Sequence, residues 1–161
     1  MALKKKTLKE MFESCETDGL FRFKEKIDEF MIKSLLESSQ ENKKRVMMHN
    51  PEYESMSKNY GFLLRDCYDT QRPLIDIILL FDRVSSSNHC CANAYLCMKH
   101  KELGLSWDDL ETMRTLRNEV SYEGKRIDEM IWLKILSKFE VSIVILEKAV
   151  KGFIMEHFGQ Q

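Results

Sequence analysis

The sequence predicts an all-α protein, about five helices in one bundle. Three observations carry this. Apolar residues recur at three- and four-residue intervals along most of the chain. Capping residues stand at the starts of the periodic stretches and a glycine follows one of them. Only two prolines and six glycines occur in 161 residues, which leaves few tight turns. The length fits one domain, residues 1–161, and 43% hydrophobic residues suffice for a core at this size.

The first helix is expected over Leu20–Glu37, capped by Asp18, with Phe23, Ile27, Phe30, Met31 and Leu35 at helical spacing. The polar run "ESSQENKKR", Glu37 to Arg45, reads as a loop. A second helical region runs from Pro51, after an N-capping Asn50, to Val84. Pro73 lies inside it and predicts a kink or break near Thr70–Arg72. The apolar "PLIDIILLF" has helical flanks and no evident partner strand.

"SSSN" is a turn that ends in an N-cap at Asn88, and a third helix covers His89–Glu102 before Gly104. Ser106 caps the fourth, with Asp109 three residues on, and this helix runs to about Ser121. The last helix runs from about Asp128 to Phe158. Its stripe includes Trp132, Ile135, Phe139, Ile143, Leu146 and Val150, while Met130, Val141 and Ile145 fall outside it. A helix apolar over so much of its circumference is central in a bundle or covered in an oligomer.

Charge narrows the function classes. Charged residues make up 32% of the chain with a net charge of −1, so the basic surplus of a general nucleic-acid binder is absent. The short runs Lys4–Lys6 and Lys43–Arg45 read as a solvated terminus and loop. No apolar run reaches membrane-span length and no signal-type core follows the basic start, so the expected location is cytoplasmic. Five cysteines in such a chain are expected as reduced thiols. His89, Cys90, Cys91, Cys97 and His100 share one helix, where His89 and His100 would be about 16 Å apart. Metal ligands must converge on one ion, so no metal is expected. No glycine-rich phosphate loop or nucleophile motif implies a cofactor or a known hydrolase.

The stretch "RTLRNEVSYEG", Arg114 to Gly124, is the candidate site. Steps of about 100° per residue put Leu110, Met113, Leu116 and Val120 on one stripe. Arg117 borders that stripe, and Arg114, Asn118 and Ser121 lie just beyond. Guanidinium groups suit bidentate phosphate contacts. The same arginines can instead cover the apolar stripe with their stems and pair with Asp or Glu.

This stretch, before a long final amphipathic helix, resembles the signature region of HEPN domains (higher eukaryote and prokaryote nucleotide-binding). "LIDIILLFDRVSSSNHCCANAYL" is similar to the helix pair that precedes it in a prokaryotic group with a Tyr-Glu-Gly ending. The resemblance covers about Tyr60 to Phe153. It implies a helical homodimer associated with RNA or a nucleotide, often a metal-independent ribonuclease of toxin or defence type. The implied partners are a nucleotidyltransferase or another antitoxin. Other members are inactive binding modules, the alternative reading here.

By position, Arg117 matches the motif arginine and would hold the scissile phosphate, and Asn118 matches the following Asn. The motif histidine has no counterpart. Tyr122 stands after four intervening residues, and a phenol titrates near pH 10 rather than near neutrality. Tyr122 is the candidate to hydrogen-bond a phosphate or stack on a base, with Arg114 and Ser121 beside the substrate. His89 is a second candidate, because antiparallel packing of the third and fourth helices would bring it towards Arg117 and Tyr122. The alternative for His89 is a helix-start residue bonded to backbone or solvent.

Overall fold

The computed structural model describes residues 6–48 and 58–159. Six α-helices are found among the described residues: α1 Leu8–Thr17, α2 Glu29–Met48, α3 Gly61–Phe81, α4 His89–Lys99, α5 Trp107–Glu123 and α6 Glu129–Phe158. A 3₁₀ turn, Lys101–Leu103, follows α4. Two short strands, β1 Arg22–Phe23 and β2 Val84–Ser85, pair antiparallel, with Arg22 opposite Ser85 and Phe23 opposite Val84. The protein is an all-α bundle with a minimal two-strand clasp.

The second half follows its sequence signals. The Asn88 side chain accepts from the Cys90 and Cys91 amides, Ser106 from Asp109, and Asp128 from Ile131. Gly104 and Gly124 take the left-handed conformation, φ 66° each, that ends a helix without a Cβ penalty. The start expected at Asn50–Pro51 and the residues Lys4 and Lys5 lie outside the described residues.

The first half differs. Residues 20–28 do not form a helix, and Asp18 closes α1 instead of opening the next helix. The expected stripe is not a core stripe: Phe23 is 79% exposed and Phe30 84%. The segment read as a loop, Glu37 to Arg45, lies inside α2. Its burial against α3 runs through polar side chains, so it leaves no apolar period to detect.

Those polar contacts have a definite role. Pro73 sits inside α3 and cannot donate to the carbonyl four residues back, that of Asp69. Asn42 Nδ2 of α2 donates to that carbonyl at 2.9 Å, and Ser39 Oγ donates to the next, Thr70, at 2.7 Å. The helix continues through its proline, with α2 supplying the one missing donor through Asn42 and a further bond through Ser39.

α3 is the central helix. It packs against α2, α4, α5 and α6. Leu64, Ile77, Ile78 and Leu79 have no solvent exposure, and truncating one to Ala would cost about 2–5 kcal/mol. α6 buries Trp132, Ile135, Phe139, Ile143, Leu146 and Val150 but leaves Met130, Leu133, Val141, Val144 and Met155 on its outer face. The final helix therefore lies at the periphery of the bundle.

Cys15 and Cys91 form a disulfide, which corrects the expectation of five reduced thiols. The fold brings α1 onto α4 and places two buried sulfurs side by side. A link across 76 residues removes about 4.5 kcal/mol of loop-closure entropy from the unfolded chain. Cys67, Cys90 and Cys97 are free.

Candidate functional site

The site is built around Tyr68, a buried residue of α3. Its hydroxyl shares a 2.7 Å hydrogen bond with His89 Nδ1 at the start of α4. The guanidinium of Arg117, from α5, lies 5.6 Å from the Tyr68 ring centroid. One phenol thus joins three helices.

α4 and α5 run antiparallel, with Asn93 Nδ2 donating to Glu111 Oε1 at 2.9 Å and Cys90 Sγ to Glu111 Oε2 at 3.2 Å. The start of α4 therefore meets the Arg114–Arg117 stretch. His89 and Arg117 come together on Tyr68, while the His89 side chain takes a phenol as partner rather than backbone. Tyr122 is 79% exposed near the far end of α5. It lies five residues, about 140°, round the helix from Arg117. Ser121 is also exposed and lines a separate cavity with Asn59, Gly61 and Arg65. Asn118 is half-buried, and its side chain makes no hydrogen bond to another described residue.

Several residues of the cluster stand outside the Arg114–Gly124 stretch. Arg72 grips Asp76 in the same helix with two bonds, Nη2–Oδ1 at 2.6 Å and Nε–Oδ2 at 2.9 Å. It also donates to the carbonyls of Ser86 at 3.2 Å and His89 at 3.4 Å, which fixes the start of α4 against α3. The i, i+4 spacing of Arg72 and Asp76, and of Tyr68 and Arg72, was the available clue. Glu111, only 5% exposed, accepts from Asn93, Cys90 and Arg114 Nε, the last at 2.9 Å.

The electrostatics follow. Burial, then the cations Arg72, Arg117 and Arg114, push the His89 imidazole down to about 4. The ring is therefore neutral at neutral pH, and the residue as a whole is exposed. Burial pushes the Tyr68 phenol up to about 12 against the pull of the same arginines. It stays a neutral hydrogen-bonding group. The free thiols are not nucleophiles at neutral pH: burial raises Cys67 and Cys97 to about 12, and burial with Glu111 does so for Cys90.

Arg117 is the least satisfied of the three guanidiniums. Its closest carboxylate is Asp69, at 3.6 Å, and its Nε is buried without a hydrogen-bond partner among the described residues. Asp69 titrates above its ordinary value, because its burial outweighs the attraction of Arg117 and Arg65. The pair is therefore a loose one. Among the described residues no group of three or more His, Cys, Asp or Glu side chains could hold a metal ion. None of the described helices is long and apolar enough to cross a membrane.

No protein-family model matches this chain, and no curated protein is similar to it. The site stands on its own geometry: an under-satisfied arginine and a neutral, solvent-reaching histidine held on one buried tyrosine.

Proposed function

We propose that this is a HEPN-like, RNA-associated protein that contacts a phosphodiester through Arg117, with His89 beside it. The observation that supports this reading is the convergence of Arg117 and His89 on Tyr68, from two helices. Arg117 has only a distant carboxylate and a buried Nε without a partner among the described residues, so its guanidinium is the least committed of the three within the chain. In the tautomer whose Nδ1–H donates to the Tyr68 oxygen, Nε2 of the neutral imidazole can accept a proton from a ribose hydroxyl. An arriving phosphate also offsets the arginine charges that depress His89, which raises its proton affinity when substrate is present.

The test is a mixed RNA pool incubated with the purified protein in the absence of divalent metal, beside Arg117→Ala and His89→Ala. Cleavage by wild type that both variants lose is the expected result for a ribonuclease. RNA binding without cleavage, weakened in Arg117→Ala, would leave an RNA-binding module. Intact, unbound RNA in every lane would reject the reading.

The second reading is a non-catalytic module that binds a nucleotide or a partner protein. It is favoured by the pairing of each guanidinium with its own carboxylate: Arg72 with Asp76, Arg114 with Glu111, Arg117 with Asp69. In either case we propose a homodimer, because Met130, Leu133, Val141, Val144 and Met155 fall within an arc of about 80° on the open face of α6. A monomeric mass in light scattering would remove that part.

A further inference from the structure

We propose that α1 is a cover over the Arg114 side of the site, held shut by the Cys15–Cys91 disulfide and opened by its reduction. This rests on the reading of the arginine cluster as the RNA-contacting site and adds its regulation.

The attachment of α1 is unusually narrow. It is a ten-residue helix with two buried side chains, Phe12 and Cys15. It rests chiefly on α4. A helix of this length does not persist in water without tertiary support. That support is the disulfide together with an aromatic contact: the Phe12 ring lies 5.3 Å from Phe21 and 6.2 Å from Tyr95. Without the disulfide, the Phe12 ring, with Lys99 over it, and the partly buried Leu8 and Met11 are left to hold the helix.

What α1 covers is specific. A cavity of about 460 Å³ lies between the N-terminal segment and α5. Lys6 and Met11 line it on one side, and Glu111, Arg114 and Leu116 on the other, with Cys90 of α4 also lining it. Arg114 belongs to both places: it lines this cavity, and its charge acts on Tyr68 and His89. Arg114 is already a quarter exposed, and lifting α1 removes the Lys6 and Met11 wall and widens the approach to it for a large anion.

Both sulfurs are buried, each residue 1% exposed, so a reductant reaches them only when α1 lifts transiently. The chemistry balances with a dithiol. Two successive thiolate attacks break the S–S bond and oxidise the dithiol to its cyclic disulfide. Cys15 and Cys91 gain the two electrons and two protons as thiols.

The test is amide hydrogen exchange of the wild-type protein, oxidised and after dithiothreitol, with thiols counted by alkylation and intact mass. On reduction, exchange over residues 8–17 should accelerate by at least about tenfold, while α6 amides change by less than about twofold. Cys15→Ser should reproduce that pattern without reductant. Unchanged protection of α1 once both thiols are free would overturn the proposal. So would equal acceleration across α6, which would make the disulfide a general staple, or five alkylated cysteines before reduction. The readout contains no RNA, so its failure is distinct from failure of the RNA assays.

Discussion

The Tyr68 hydroxyl and His89 Nδ1 lie 2.7 Å apart, and this bond joins the central helix to the start of α4 at the point where Arg117 crosses the phenol ring. The His89 ring sits among the cations Arg72, Arg114 and Arg117, and its Nε2 has no hydrogen-bond partner among the described residues. Its titration is the most direct report on the site. By NMR, the His89 ring signals should hold steady from about pH 8 down to about pH 5 and move only near 4. Arg117→Ala and Arg114→Ala each remove a positive charge and should move that midpoint upwards. A wild-type midpoint near the ordinary histidine value would mean that the imidazole does not occupy this environment.

Asn42 and Pro73 should be coupled energetically although they never form a bond with each other. Asn42 Nδ2 serves the Asp69 carbonyl because Pro73 has no N–H to offer. Asn42→Ala leaves that carbonyl without its donor and should cost about 1–3 kcal/mol in urea unfolding. In a Pro73→Ala background the backbone N–H of residue 73 returns, and Asn42→Ala should then cost much less. A double-mutant cycle reads the difference. Strict additivity would show that the amide is not compensating for the proline.

This contact also explains how much of the fold the sequence disclosed. α4, α5 and α6 announce themselves through local chemistry: Asn88, Ser106 and Asp128 at their starts and αL glycines after the 3₁₀ turn and α5. Such signals act within a few residues and survive without tertiary information. α2 docks through Asn42 onto the carbonyl freed by a proline in another helix and through Ser39 onto the next carbonyl, so its polar run reads as a loop. The Cys15–Cys91 link and the β1–β2 clasp join distant segments and have no local signature. At the site, Arg114, Arg117 and His89 were identifiable by residue type and helix phase. Tyr68, on which two of them meet, looked like one more core aromatic.

Glu111 should be the main stability determinant among the site's charges. It is buried and accepts from Asn93, Cys90 and Arg114. Glu111→Ala strands the Arg114 guanidinium and the Asn93 amide together. The expected loss is about 3 kcal/mol, the low end for breaking a buried pair, because a quarter of the Arg114 side chain stays exposed. Glu111→Gln should also speed alkylation of Cys90, since the carboxylate helps raise that thiol to about 12. An unchanged Cys90 rate in a folded Glu111→Gln protein would mean that the thiol is governed by burial alone.

His100 should give the fold a pH dependence opposite in sign to that of His89. Its Nε2 lies 2.7 Å from Asp82 and its Nδ1 3.1 Å from Glu102, and the hydrogen bond to Asp82 raises its pKa despite burial. The folded state then keeps a proton that the unfolded chain releases at about 6.5. The contribution is complete below that pH and is lost as pH rises through the higher folded value. His89 works the other way: the unfolded chain takes up a proton below about 6.5 that the folded ring refuses until about 4, so stability falls on acidification through that window. His100→Asn should therefore cost about 2 kcal/mol near pH 6 and progressively less towards pH 9, with Asp82 as the main partner because the Glu102 side chain is 66% exposed. Urea midpoints of wild type and variant across that range measure the difference. A cost independent of pH would assign His100 a packing role against Phe153, whose ring centroid lies 5.8 Å from the imidazole, in place of a charged latch between the ends of α3 and α4.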